Sequence, residues 1–242
     1  MDEVSIEKAM GNAEEKPSDI PTPKDADLRN IVIIVSVVVA ILVLSLSGYT
    51  LVHKAAGAQG MTNEQKVDQL HEQNKAGKLS EREGYIYNGY SFVRWEGLWW
   101  TQFNHQGRTL KIPLHFGPRE VSNINIVGNL SEEFNANPDL YIAIDPNIAN
   151  KYYTLALSEL NFNLAKGINR RPVGACTEPN EICENRTITG CNNTQGLPVL
   201  ELQLQEKSGI ELSGTCIKVT GQEYDLVQAV DRLLYKWYGV MK

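Results

Sequence analysis

The segment LYIAIDPNIANKYYTLALSELNFNLAKGINRRPVGAC, residues 140–176, changes its hydrophobic period twice. Residues 140–144 are a short apolar run stopped by Asp145-Pro146, which reads as a buried strand. Over residues 147–166 the apolar positions Tyr153, Leu157, Leu160 and Leu164 recur every three or four residues, the spacing of one helix face, and Gly167 fits a C-terminal cap. Residues 172–176 return to strand character. Strand, helix and strand in that span read as a βαβ unit, whose crossover is almost always right-handed.

Working outward, Asn88-Gly89, Glu96-Gly97 and Gln106-Gly107 are turn signals at short, regular intervals, with strand-like residues 90–95, 98–104 and 108–116 between and after them. The last of these alternates, with Leu110, Ile112 and Leu114 on one face. This is an antiparallel meander. Trp95, Trp99 and Trp100 fall in it and read as strand residues packing under a helix, in preference to an aromatic platform for a ligand. A turn and one more strand over residues 123–127 follow. Beyond residue 176 come a loop over residues 177–198 and two strands, residues 199–205 and 211–220. A final amphipathic helix spans residues 223–238, with Val227, Val230, Leu234 and Trp237 as its core face and Gly239 as its cap. The expected fold is α+β: a meander leading into a mixed sheet of six to eight strands, with two main helices on one face.

A second decisive stretch lies upstream. Residues 31–52, IVIIVSVVVAILVLSLSGYTLV, are apolar and carry no charge. A membrane-spanning helix needs about 20 such residues, so the run is expected to cross a bilayer. Ala56-Gly57-Ala58 offers a signal-peptidase-like site, but the run is longer than a signal-peptide core and follows a long acidic segment. Residues 1–30 hold 4 basic and 8 acidic residues, several prolines and no aromatics, and read as a disordered acidic cytoplasmic tail. Residues 53–83 read as a stalk with a short polar helix, in which Thr62 and Gln65 form a capping box and the apolar stripe is too thin to join a core. Residues 84–242 are the folded extracytoplasmic domain.

Basic residues flanking the run barely orient it. The cysteines orient it better. Cys176, Cys183, Cys191 and Cys216 all lie in the C-terminal part, where an even count suggests disulfides in an oxidising compartment. Four cysteines permit three pairings; local closure favours Cys176–Cys183 with Cys191–Cys216, against Cys183–Cys191 with Cys176–Cys216. Their spacing lacks the short knuckles of a zinc site. The sequons at Asn129, Asn185 and Asn192 are candidate glycosylation sites. The expectation is therefore a single-pass membrane protein with its N-terminus in the cytoplasm and its C-terminal domain outside.

Charge and motifs narrow the function. Beyond residue 30 the chain is close to neutral, which argues against nucleic acid as a partner. No nucleophile elbow, zinc-protease motif, P-loop or dinucleotide fingerprint occurs, and no cofactor is expected. The candidate catalytic residues are Asp145, at the carboxyl end of a strand where α/β sheets bind ligands, and the His115–Glu120 pair with Arg119 between them. Each has a bland reading: a turn and capping signal for Asp145, surface residues at a strand end for the pair. Asp231-Arg232 reads as an exposed ion pair on the outer face of the last helix, with little energetic weight.

The stretches Leu157-Ser-Glu-Leu160, Cys176…Cys183…Cys191, Gly214-Thr-Cys216-Ile217 and Asp225–Gly239 resemble a group of uncharacterised archaeal single-pass membrane-anchored surface proteins with a cysteine-bearing outer domain. The resemblance covers the second half of the chain, implies an N-glycosylated, disulfide-bearing cell surface, and carries no catalytic residue across. Two functions follow as expectations. The first is a non-catalytic binding or envelope-assembly domain, tethered to the lipid bilayer through residues 31–52, with an envelope protein or glycan as partner. The alternative is an extracytoplasmic enzyme, a hydrolase, with its site near Asp145.

Overall fold

The computed structural model describes residues 61–105 and 107–242, together with five helical positions in the apolar run, Ile33, Ser36, Ala40, Ile41 and Val43. The expected tail, the rest of the membrane-spanning run and the first part of the stalk lie outside the described residues. Among the described residues no helix is long and apolar enough to cross a membrane. Residues 61–242 form one compact unit.

Three helices and two sheets build this unit. The first helix, α1 (Asn63–Lys75), starts at Thr62, whose side chain accepts the Gln65 backbone N–H while the Gln65 side chain returns to the Thr62 N–H. This is the expected capping box. The helix does not stand free as a stalk. Val67, His71 and Asn74 are buried against the meander, and Asn74 donates to the carbonyls of Tyr85 and Phe92. A thin apolar stripe suffices here because buried polar side chains, each bonded to the strands, complete the contact.

The meander is a four-stranded antiparallel sheet in sequence order: β1 (Gly84–Tyr87), β2 (Tyr90–Trp95), β3 (Leu98–His105) and β4 (Arg108–Leu114). Asn88 and Gly89, like Glu96 and Gly97, both take positive φ, the two-residue hairpin geometry whose twist matches the strands. Trp99 is buried, edge-on to Tyr85 at 4.9 Å, so this tryptophan packs as expected.

The second sheet is mixed and seven-stranded, so the one sheet of six to eight strands expected from sequence is two sheets. Its strands are β5 (Ile126–Leu130), β6 (Asp139–Ile144), β7 (Arg171–Cys176), β8 (Thr187–Ile188), β9 (Val199–Leu204), β10 (Gly209–Gly214) and β11 (Cys216–Gly221). The order is β5-β10-β11-β9-β6-β7-β8, and only β10 and β11 run antiparallel to each other. The stretch read as one strand over 211–220 is two: Gly214, at φ +55, lets the chain reverse before Cys216. The strand expected over 123–127 begins instead at Ile126 and pairs in parallel with β10.

The βαβ unit is present. β6 and β7 are parallel neighbours joined by α2 (Lys151–Asn163). A π turn, Leu164–Ile168, prolongs α2, and the left-handed terminal residue is Asn169, not Gly167. Gly167 serves a different need: a Cβ there would lie 2.3 Å from the Tyr238 hydroxyl. The last helix, α3 (Glu223–Trp237), has nine buried residues and almost no solvent face. It packs beside α2 and against β10 and β11. On the meander side, Tyr235 meets Phe92 edge-on and Tyr238 stacks on Phe103 at 4.6 Å. Leu140, Ile142, Leu200, Leu202, Ile217 and Val219 of the mixed sheet enter the same core. Alternate residues of these strands, Ala143, Val199 and Cys216, form a small second cluster with Cys191 and Leu197 on the other face.

The cysteine loop is closed by Cys176–Cys183, with Cα atoms 6.3 Å apart, and by Cys191–Cys216, at 5.4 Å. Both separations suit disulfides. Cys191–Cys216 ties the loop to β11 beneath that second face.

Candidate functional site

β4 ends at Leu114, and the next three residues, His115, Phe116 and Gly117, leave the meander. Their backbone amides are met by carboxylates from three places. His115 N–H donates to Glu159 Oε1 of α2 at 3.0 Å, Phe116 N–H to Asp231 Oδ2 of α3 at 2.8 Å, and Gly117 N–H to Glu120 Oε2 at 2.7 Å. The Tyr235 hydroxyl, one helical turn after Asp231, donates to the Phe116 carbonyl at 2.7 Å. The connector is thereby fixed to both central helices.

Glu159 also reaches the His115 ring, with Nδ1 2.8 Å from Oε2. The His115 ring remains partly exposed, whereas Asp231 is wholly buried. The hydrogen bond from Glu159 raises the His115 pKa above its ordinary value, because the carboxylate favours the imidazolium. Burial pushes the Asp231 carboxyl far above the usual carboxylate range, and the neighbouring Glu159 charge adds to that. Burial and the Glu159 charge thus both favour the protonated form of Asp231. Burial, then the nearby Asp231, likewise raises the Tyr235 phenol. The arrangement favours a proton on Asp231 and positive charge on the partly exposed His115 imidazole. Glu159 Oε1 and Asp231 Oδ2 are spent on the connector backbone and Glu159 Oε2 on the His115 ring, while Asp231 Oδ1 is buried without a hydrogen-bond partner.

The three residues singled out from sequence are not brought together. His115 bonds to Glu159, and Glu120 to Gly117. Asp145 sits elsewhere: its Oδ1 accepts the Asn147 N–H at 2.9 Å and its own N–H donates to the Tyr153 hydroxyl at 3.3 Å. That is an Asx turn. The cap of α2 is Asn150, which accepts from Tyr152 and Tyr153. Asp145 thus takes the structural role. Arg119 lies over the Tyr85 ring at 4.2 Å, apart from His115.

Asp231-Arg232 is not an exposed pair. Both residues are buried and they bond to different partners. Sequence reasoning does not single out Glu159 or Asp231, although each falls on the buried side of its helix, Glu159 between Ala156 and Asn163 and Asp231 between Val227 and Leu234. No group of histidine, cysteine or acidic side chains among the described residues could hold a metal ion. In comparisons with known proteins, no family model, no curated protein and no solved structure matches the chain.

Proposed function

We propose that the chain is a membrane-tethered extracytoplasmic domain with a non-catalytic binding or envelope-assembly role, anchored by residues 31–52. Kinship with archaeal surface proteins, an outward C-terminal domain and an envelope protein or glycan as partner belong to the same proposal. The observation that carries it is the closure of all four cysteines in two disulfides, the state expected of an oxidising compartment. The uncharged apolar run supports the tether. Asn129, Asn185 and Asn192 are all exposed, as glycan acceptors must be. The buried acids support a structural use of the polar network, because each binds the connector backbone and none activates a nucleophile among the described hydrogen bonds.

The test is extraction of the full chain from membranes in mild detergent, followed by crosslinking and sizing. Recovery in a defined complex with one envelope component is expected. Repeated recovery as a lone monomer, or recovery without detergent, would overturn the reading.

A further inference from the structure

The face of the mixed sheet opposite the shared core carries a small polar pocket. Glu201 of β9 alternates with Leu200 and Leu202, which enter the core, and so points to this other side. It is buried there, and its carboxylate accepts the Cys191 N–H and the Gln203 side-chain amide, each at 2.6 Å. The first of these bonds pins the cysteine loop to the sheet. A cavity of about 170 Å³ remains between them, lined by Thr177, Ile188, Thr189, Asn192 and Asn193 around Glu201. Gly190 keeps it open: a Cβ there would lie 3.0 Å from Glu201 Oε2 and 3.7 Å from Thr177 Cγ2.

The groups at its mouth are accessible and free. Asn192 and Asn193 are exposed, and among the described residues neither side-chain amide has a hydrogen-bond partner. Each offers two donor hydrogens and an acceptor oxygen. The Thr177 hydroxyl donates to the Ile144 carbonyl and keeps its own lone pairs. Ile188 supplies one apolar wall, and among the described residues no basic side chain lines the pocket. Neutral donors and acceptors beside one apolar wall suit a sugar, whose ring carries hydroxyls on its edge and C–H groups on its faces. The volume lies below the roughly 300 Å³ at which sites for drug-sized ligands begin, so it takes one ring and not a chain. Asn192 is itself the acceptor of the sequon Asn192-Asn193-Thr194.

We propose that the first sugar of a glycan attached to Asn192 is seated in this pocket, held by the Asn193 amide and the Thr177 hydroxyl, with one face on Ile188. Attachment exchanges one Asn192 Nδ2–H for a bond to the anomeric carbon of the sugar. The bond from that carbon to its lipid-phosphate carrier breaks, the carrier leaves, and the proton passes to solvent. The seat rests on the outward placement of the domain, where such carriers donate their glycans.

The experiment uses the full chain made in a secretory pathway that attaches glycans through N-acetylglucosamine. Mass spectrometry gives the occupancy of each sequon. A glycan-releasing amidase, which cuts at the asparagine Nδ2, is then timed on the native and the unfolded chain. At Asn192, native release is expected to be about tenfold slower than unfolded release, because the enzyme acts only when the sugar leaves its seat. Asn193→Ala keeps the sequon and removes no hydrogen bond within the described protein. It should speed native release about fivefold, the effect of one hydrogen bond, and leave unfolded release unchanged. Native release as fast as unfolded release, slow release that Asn193→Ala does not alter, or an unmodified Asn192 beside an occupied Asn129 or Asn185 would overturn this proposal and leave the outward placement standing. Three unmodified sequons would overturn both.

Discussion

Glu159 holds His115 at two points: Oε1 accepts the backbone N–H at 3.0 Å and Oε2 lies 2.8 Å from the ring Nδ1. The interaction joins the crossover helix to the end of the meander. Replacing Glu159 with alanine leaves a backbone amide and an imidazole without their acceptor in a buried place. A loss of about 3 kcal/mol is expected, from the cost of stranding such donors. Glu159→Gln, which keeps an oxygen for the His115 amide, should lose less. Chemical denaturation of both variants checks the order.

Asp231 gives the unit a pH dependence of known sign. Its folded pKa lies above its unfolded value, so the folded state binds more protons than the unfolded one above about pH 4. That contribution is complete below the unfolded pKa and is lost as pH rises toward the folded one. His115, also raised, acts in the same direction above its ordinary value of 6.5. Asp231→Asn retains an acceptor for the Phe116 amide and removes the titration. The stability of this variant relative to the natural chain should therefore increase as pH rises above the ordinary carboxylate value, as read by denaturation midpoints. A constant difference would show that Asp231 ionises freely.

His71 works at the other end of the scale. Its ring Nδ1 lies 2.9 Å from the Ser91 hydroxyl and the residue is 1% exposed. Burial, helped by the nearby Lys75 charge, lowers its pKa from 6.5 to about 4. Here the unfolded state binds the extra proton. Stability is present above pH 6.5 and is lost as pH falls toward 4. The full loss is of the order of 3 kcal/mol, since one unit corresponds to about 1.4 kcal/mol. The advantage of the natural chain over His71→Gln should shrink across that interval.

The two disulfides should differ in weight. Cys191–Cys216 spans 25 residues and Cys176–Cys183 spans 7. Loop-closure entropy assigns about 3.5 kcal/mol to the longer and about 2.4 to the shorter. Serine replacement of Cys191 and Cys216 together should lower the melting temperature more than replacement of the other pair. It should also loosen the loop over Ala143 and Val199, seen as faster amide exchange there.

Local patterning made much of this fold legible. The Asn88-Gly89 and Glu96-Gly97 turns, the capping box at Thr62 and the stripe of α3 are short-range signals, and each reads correctly. The division into two sheets was not legible, because strand pairing partners far apart in sequence leave no local mark. The reversal at Gly214 was hidden for a related reason: Glu211 to Thr220 looks like one strand until β9 is seen beside its second half. The polar site was hidden most thoroughly. An acid on a helix is normally solvated, so Asp231 read as surface. Only the packing of α3 between the two sheets takes it out of water. Asp145 shows the converse: the carboxyl end of a buried strand invites a functional reading, and the Asx turn accounts for that carboxylate locally.

Location is the centre of the proposal, and the redox state of the cysteines reports it most directly. Intact cells expressing the chain would be lysed in excess alkylating agent, and the modified cysteines counted by mass spectrometry without reduction. No alkylated cysteine is expected, with peptides linked 176–183 and 191–216. Four alkylated cysteines would place the domain in a reducing compartment and contradict the extracytoplasmic assignment.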